Sequence, residues 1–549
     1  MSIRNLALSS AVVIATLGLA ACGGGDDSPA PGPSSPQAVG DTVVLTVSGK
    51  LKSFNRTAPG AEVGSVTISG LTNESLLGID YRPADGKLYG LSNTGNIFTI
   101  DPSTGVATFK SALRPLAGDD NPYMTLVGGT HFAVDFNPVA DRLRVVSDTG
   151  LNLRINVDTG DTTTDGMINP AGNIVSAAAY TNSFAGTSTT QLFDLDVAAG
   201  RLLLQDPPNA GTVNGGVPLG LVADGVNGFD IDARTNTGYA ALRLGADTAL
   251  YSINLGATAG AATRIGAISG DDAIRGLAVA PAARPTALAL TSDNRLSSFD
   301  LRTPNTLASN VAVTGLGTGE TLVGIDFRPR DGVLFGLTNA GKLYTIDATT
   351  GAAVLRATLF ADSGDLTAPY TGLSGTVTGV DFNPAADRLR VITSDGQSLR
   401  IVVETATVAG TTVTAGATTT DGAINRASAP AVVAAAAYSN SFGGTTTTSL
   451  FNLERNTDQL TLQNPPNNGT LTDIGPIGID ISGAAAFDIG GGSNGLALAA
   501  LRAAPTGPFT LYNVSLTTGA ATPYIAAPGA AVIGGSGGPA NLIDLAIRF

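Results

Sequence analysis

The sequence predicts an all-β protein of β-propeller repeats, arranged as two tandem five-bladed propellers. Three observations carry that reading. The 28 residues Gly78–Gly105 return as Gly324–Gly351 at an offset of 246, with seventeen positions identical. Inside this stretch, runs of four to six residues alternate with turns of Gly, Pro, Asn and Asp, the pattern of an antiparallel meander. Each copy also divides at five recurring leading strands, which set a repeat of roughly 45–50 residues, the length of a propeller blade.

The first meander reads as three short strands, Gly78–Tyr81, Lys87–Leu91 and Asn96–Ile100. So narrow a sheet cannot bury both faces alone and needs copies stacked alongside. The leading strands of copy one are Leu77–Pro83 (LGIDYRP), Phe132–Pro138 (FAVDFNP), Ser176–Ser183 (SAAAYTNS), Gly228–Ala233 (GFDIDA) and Arg275–Pro281 (RGLAVAP). Copy two answers with Val323–Pro329, Gly379–Pro384, Ala434–Ser441, Ala486–Gly490 and Ile543–Phe549. The copies stay in register while insertions widen the offset from 246 to 268. VDFNPVADRLR at Val134–Arg144 matches Val380–Arg390 in ten of eleven places, TTTDG recurs at Thr162 and Thr418, and QDPPNAGT at Gln205 is answered by QNPPNNGT at Gln463. Ala431–Ala437 (AVVAAAA) has helix propensity, yet its counterpart Ile174–Ala179 sits at a strand position, and packing overrides so weak a preference.

Both copies end in a spare leading strand, while Val43–Phe54 has none before it. Pairing the last strand into the first blade would remove the exposed edges of an open array. Two arrangements satisfy this: each copy closes on itself, which is the preferred reading, or all ten blades form one large ring.

Composition narrows the chemistry. Charged residues are 13% of 549, and 30 Lys and Arg against 44 Asp and Glu leave a net charge of −14. Such a balance argues against binding nucleic acid, which needs clustered cations. Cys22 is the only cysteine, so an intrachain disulfide and a thiolate metal site are both excluded.

Residues 1–22 read as a targeting segment: Arg4 supplies the positive end, and Leu6–Leu19 is an apolar run too short to span a bilayer comfortably. Leu19-Ala20-Ala21-Cys22 resembles a bacterial lipobox, which implies cleavage before Cys22, lipidation of its thiol and acylation of the new N-terminus. Gly23 after the cysteine, by resemblance to proteobacterial lipoproteins, implies the outer membrane of a Gram-negative bacterium. Residues 23–40, rich in Gly, Pro and Ser, read as a flexible tether. The folded units are then 41–283 and 284–549.

The strands GIDYRP and VDFNP, with DRLRV, AAAYTNSF and QDPPNAGT, together resemble the bacterial family catalogued as domain of unknown function 4394. The resemblance covers about residues 43–549 as two tandem units. It implies a propeller-like fold and adds no chemistry.

The residues themselves favour binding over catalysis. His131 is the only histidine, and copy two has Val377 in its place. Gly490-Gly491-Gly492 and Gly534–Gly538 lack the following Lys-Ser/Thr and helix of a phosphate cradle. The remaining candidates are acidic. Aligned leading strands place Asp80, Asp135 and Asp230 at one position in copy one, with Ala179 and Ala278 in the other two blades. Asp326, Asp381 and Asp488 do the same in copy two, with Ala437 and Ala546. If these strands are innermost, three carboxylates converge on each channel and could hold a hard cation such as calcium. Alternatively each carboxylate bonds backbone N–H groups or pairs with arginines, Arg142 and Arg144 or Arg388 and Arg390 sharing a strand face. Asp158-Thr159-Gly160-Asp161 and Thr164-Asp165-Gly166 are calcium-like but lack the spacing and final Glu of an EF-hand, so they read as turns.

The expected function is a lipid-anchored envelope propeller that binds or scaffolds an envelope protein or glycan. The alternative is a cation-dependent, lactonase-like hydrolase with the channel aspartates holding the metal.

Overall fold

The computed structural model describes residues 36–549, apart from 127–128, 225–227, 283, 409–410, 428–429, 482 and 503–505. The strands form two closed rings of five blades. In ring one, blade two is a plain meander of Leu76–Tyr81, Leu88–Ser92, Asn96–Ile100 and Ala107–Ala112. Its fourth strand escapes the three-strand sequence reading because, as the outermost of the blade, it is largely exposed and carries no continuous apolar run. Blades three, four and five begin at Phe132–Asn137, Ala177–Tyr180 and Gly228–Ile231. Blade one is composite: Thr42–Thr46, Lys50–Phe54 and Glu62–Thr67 receive their innermost strand, Ile274–Val279, from the far end of the copy.

Ring two repeats the plan. Leu542–Arg548 is the innermost strand of the blade formed by Thr286–Thr291, Arg295–Phe299 and Leu307–Ala312. The other four blades begin at Leu322–Phe327, Val377–Asn383, Val433–Tyr438 and Ala486–Ile489. The Ala-rich run is thus a strand. A hairpin between Ser398–Ile401 and Ala417–Thr420 accounts for ten residues of the growing offset.

All ten leading strands are innermost, and their neighbours pack into two closed circles. Their position explains their composition: a strand flanked by blades on both sides buries both faces, so apolar and small residues run on without alternation. The core lies between blades. Val43, Leu45 and Leu51 of blade one, for example, pack on Ile79, Leu88 and Phe98 of blade two. Two-residue strands, such as Arg114–Pro115 beside Asp161–Thr164, run parallel along some outer edges and cover them. Residues 1–35, which hold the expected targeting segment and most of the expected tether, lie outside the described residues; just after them the Gln37 N–H donates to Ser103 O at 2.8 Å and Gly40 is buried.

The rings contact each other through equivalent loops. Asn236 Nδ2 donates to Ser493 O at 2.6 Å, and its counterpart Asn494 donates back to Ala233 O at 3.2 Å. Phe184 of ring one meets Phe549 edge-on at 5.1 Å and joins a core otherwise built mainly of ring-two residues, and Tyr524 Oη donates to Gly186 O.

Candidate functional site

The leading-strand aspartates meet at the two ring centres. Asp80, Asp135 and Asp230 bring carboxylate oxygens within 4.8 Å of one another, and Asp326, Asp381 and Asp488 do the same in ring two. All six are buried, at 2–4% exposure. Each reaches across to the next innermost strand. Asp80 Oδ2 accepts from the Phe136 N–H (2.7 Å), Asp135 Oδ1 from Tyr180 (2.9 Å) and Asp230 Oδ2 from Val279 (2.6 Å). In ring two Asp326 accepts from Phe382 (2.6 Å), Asp381 from Tyr438 (2.8 Å) and Asp488 from Ile547 (2.5 Å). Among the described residues no backbone ladder joins one inner strand to the next, and the carboxylates supply cross-blade bonds in its place.

Ring two has one more such residue, missed in the aligned position. Asp544 sits two residues before Ala546 on the same strand face, and its Oδ2 accepts from the Ile325 N–H at 2.8 Å. Ring one has Gly276 there. An acid inside the buried run Leu542–Ile547 was the signal that could have found it.

Burial sets the electrostatics. It pushes the Asp80, Asp135, Asp326, Asp381 and Asp544 carboxyls well above the usual carboxylate range, with repulsion from neighbouring aspartates adding to it. Burial raises Asp230 to about 7, against the backbone N–H bonds it accepts and the Arg56 charge, and Asp488 to about 6. Two ionised carboxylates at this spacing repel by on the order of 3 kcal/mol at a protein-like dielectric. Each cluster therefore needs protons or a cation. Calcium takes about six to eight oxygen ligands. In ring one, five of the six carboxylate oxygens already accept a backbone N–H, and the cavity beside Asp80 and Asp230 is about 10 Å³, room for one water. The donor set fits shared protons better than calcium.

The arginine alternative fails at these residues, because the arginines are engaged elsewhere. Arg144, 2% exposed, sends Nη1 to Asp165 (2.6 Å) and Asn152 (2.8 Å), Nη2 to Asn209 (2.7 Å) and Nε to the Tyr180 hydroxyl (3.1 Å). Arg390 repeats this with Asp421, Ser398, Asn467 and Tyr438. The recurring DRLR, TTTDG, AAAY and PPN motifs are thus four parts of one node around a buried arginine. Asp165 also binds Arg154, and Asp158 pairs with Arg82 and Lys110, so the calcium-like acids have cationic partners. Arg142 donates to the carbonyls of Ala140 and Asp141. His131, half-buried, contributes its backbone carbonyl to the Asp148 N–H. Cys22 lies outside the described residues.

Among solved structures, the chain is similar to a protein from Lactobacillus plantarum determined as a structural-genomics target, at 15% identity over 66% of this chain and 96% of that one, with a TM-score of 0.25. It is similar to the Dos1 propeller at 12% identity over 65% and 90%, again with a TM-score of 0.25. No curated protein matches it. The model of one family, described as domain of unknown function (DUF4394), matches twice, over residues 50–278 and 295–534. Those two spans lie on the two rings and contain the motifs that build the buried arginine nodes, and the chain belongs to that family.

Proposed function

We propose that this protein is a lipid-anchored binding module of the cell envelope, whose rings present their loop faces to an envelope protein or glycan. The observation that carries this reading is the closure of the ring centres. Three carboxylates per ring stand at 2–4% exposure, and the cavities along ring one's axis are each about 10 Å³. A lactone cannot reach acids so enclosed, which leaves the hydrolase reading without support. The aspartates then act as pins between blades, neutralised by protons or by one small cation, and ligands meet the protein at its faces. Anchoring rests on Leu19–Cys22 and the outer-membrane assignment on Gly23.

Fractionation tests the anchor. Wild-type protein should sediment with outer membranes, whereas Cys22→Ser should be released into the soluble fraction with its fold intact. An unmodified mature Cys22 by mass spectrometry contradicts the reading.

A further inference from the structure

Every arginine side chain among the described residues makes an ion pair or hydrogen bond except two, Arg234 and Arg548. These two come from different rings and line the same cavity, about 380 Å³ in volume, at the mouth of ring two. Arg234 follows the innermost strand Gly228–Ile231 of ring one, and its carbonyl accepts from the Gly492 N–H at 2.8 Å, which holds it over the opposite ring. Arg548 ends the innermost strand of ring two and lies over Gly332, where an added Cβ would stand 3.3 Å from its Nε. Both are exposed. Phe327, Phe442 and Phe549 supply the apolar wall. Arg328 and Asp331 also line the cavity, but they are paired to each other, and Arg328 further binds Asp387 and Glu404.

The pair belongs to the tandem and not to the repeat. Ring two has Gly492 where ring one has Arg234, and ring one has Ala280 where ring two has Arg548. The ring-one counterpart of the cavity, around Ala280 and Pro281, shrinks to about 10 Å³. One unengaged guanidinium from each ring therefore faces one open-mouthed cavity, on a protein with a net charge of −14. Two planar forks over a partly apolar hollow suit an oxyanion on a compact body.

We propose that this inter-ring cavity binds a small oxyanion-bearing ligand, a carboxylate or a phosphate, between Arg234 and Arg548. This deepens the binding-module reading by naming a ligand class, and it rests on that reading. Calorimetric titration of the full chain at low salt tests it, with inorganic phosphate and glucuronate as probes and glucose as the neutral control. Saturable binding of at least one anion is expected, and the better probe assigns the class. Arg234→Gln and Arg548→Gln should each weaken it about tenfold or more, the loss of one charged hydrogen-bond donor. Arg264→Gln, which removes an outer-blade partner of Asp247, should leave it unchanged. Both test arginines support no other side chain, so circular dichroism should be unaltered. Absence of saturable binding, or equal binding by all three variants, overturns the site. A variant that loses anion binding yet still captures its envelope partner from an extract leaves the binding-module reading standing.

Discussion

Asp194 and Asn452 occupy the same place in the two rings, on Leu192–Asp196 and Leu450–Glu454, and differ by one atom type. Asn452 Nδ2 donates to Gln463 Oε1 at 3.2 Å. In ring one both Asp194 oxygens and Gln205 Oε1 lack a partner among the described residues. Burial pushes the Asp194 carboxyl well above its usual range, against the lowering effect of Arg144. A protonated Asp194 would donate to Gln205 as Asn452 does to Gln463. A carboxyl raised on folding favours the native state below its unfolded pKa, about 3.9, and that contribution is lost as pH rises through the folded value. Asp488 at about 6 and Asp230 at about 7 act in the same sense. Melting temperature should therefore fall as pH rises from 4 towards 8. Asp194→Asn should recover about 1–3 kcal/mol at pH 8, the cost of leaving a buried polar group unsatisfied. A flat pH profile, or a variant less stable at pH 8, contradicts this; calcium restoring the pH 8 value would show that a cation replaces the protons. The leading-strand acids were legible because they recur at one register. Asp194 and Asp544 were not, since each occurs in one copy and no repeat marks it.

Among the elements, the innermost strands were the most legible and the outermost the least. An innermost strand is buried on both faces and cannot vary freely, so a run of mostly apolar and small residues marks all ten. Ala107–Ala112 is half in solvent, and two-residue edge strands such as Phe360–Ala361 follow from packing alone. The strand Leu542–Arg548 combines several roles: it pairs with Thr286–Thr291, carries Asp544 and ends beside Phe549. Deleting Ile543–Phe549 should lower the melting temperature by more than about 10 °C, because several kcal/mol go with the ladder and the buried side chains and each is worth a few degrees in a domain this size. It should also promote association through the bared edge. An unchanged melting temperature in differential scanning calorimetry would remove that strand from the closure.

At the scale of the whole molecule, the duplication and the blade count could be read from the sequence, but the contact between the rings could not. Asn236, Asn494, Phe184 and Phe549 are unremarkable as residues, and only the three-dimensional arrangement brings their loops together. Closure was ambiguous for a physical reason: Arg275–Pro281 lies four residues from Thr286–Leu290, close enough to have paired forwards. It pairs backwards instead, Val43 with Ala278 and Val44 with Leu277, while Ala289 pairs with Leu545. Each ring thus closes its own strand ladders, and the inter-ring contact is added between two closed rings. Light scattering of a protein comprising residues 41–283 tests this directly. Two self-closed rings predict a soluble monomer, β-rich by circular dichroism, that melts in one cooperative transition. An obligate dimer or an aggregate, as expected of half a ring with two raw edges, would contradict it.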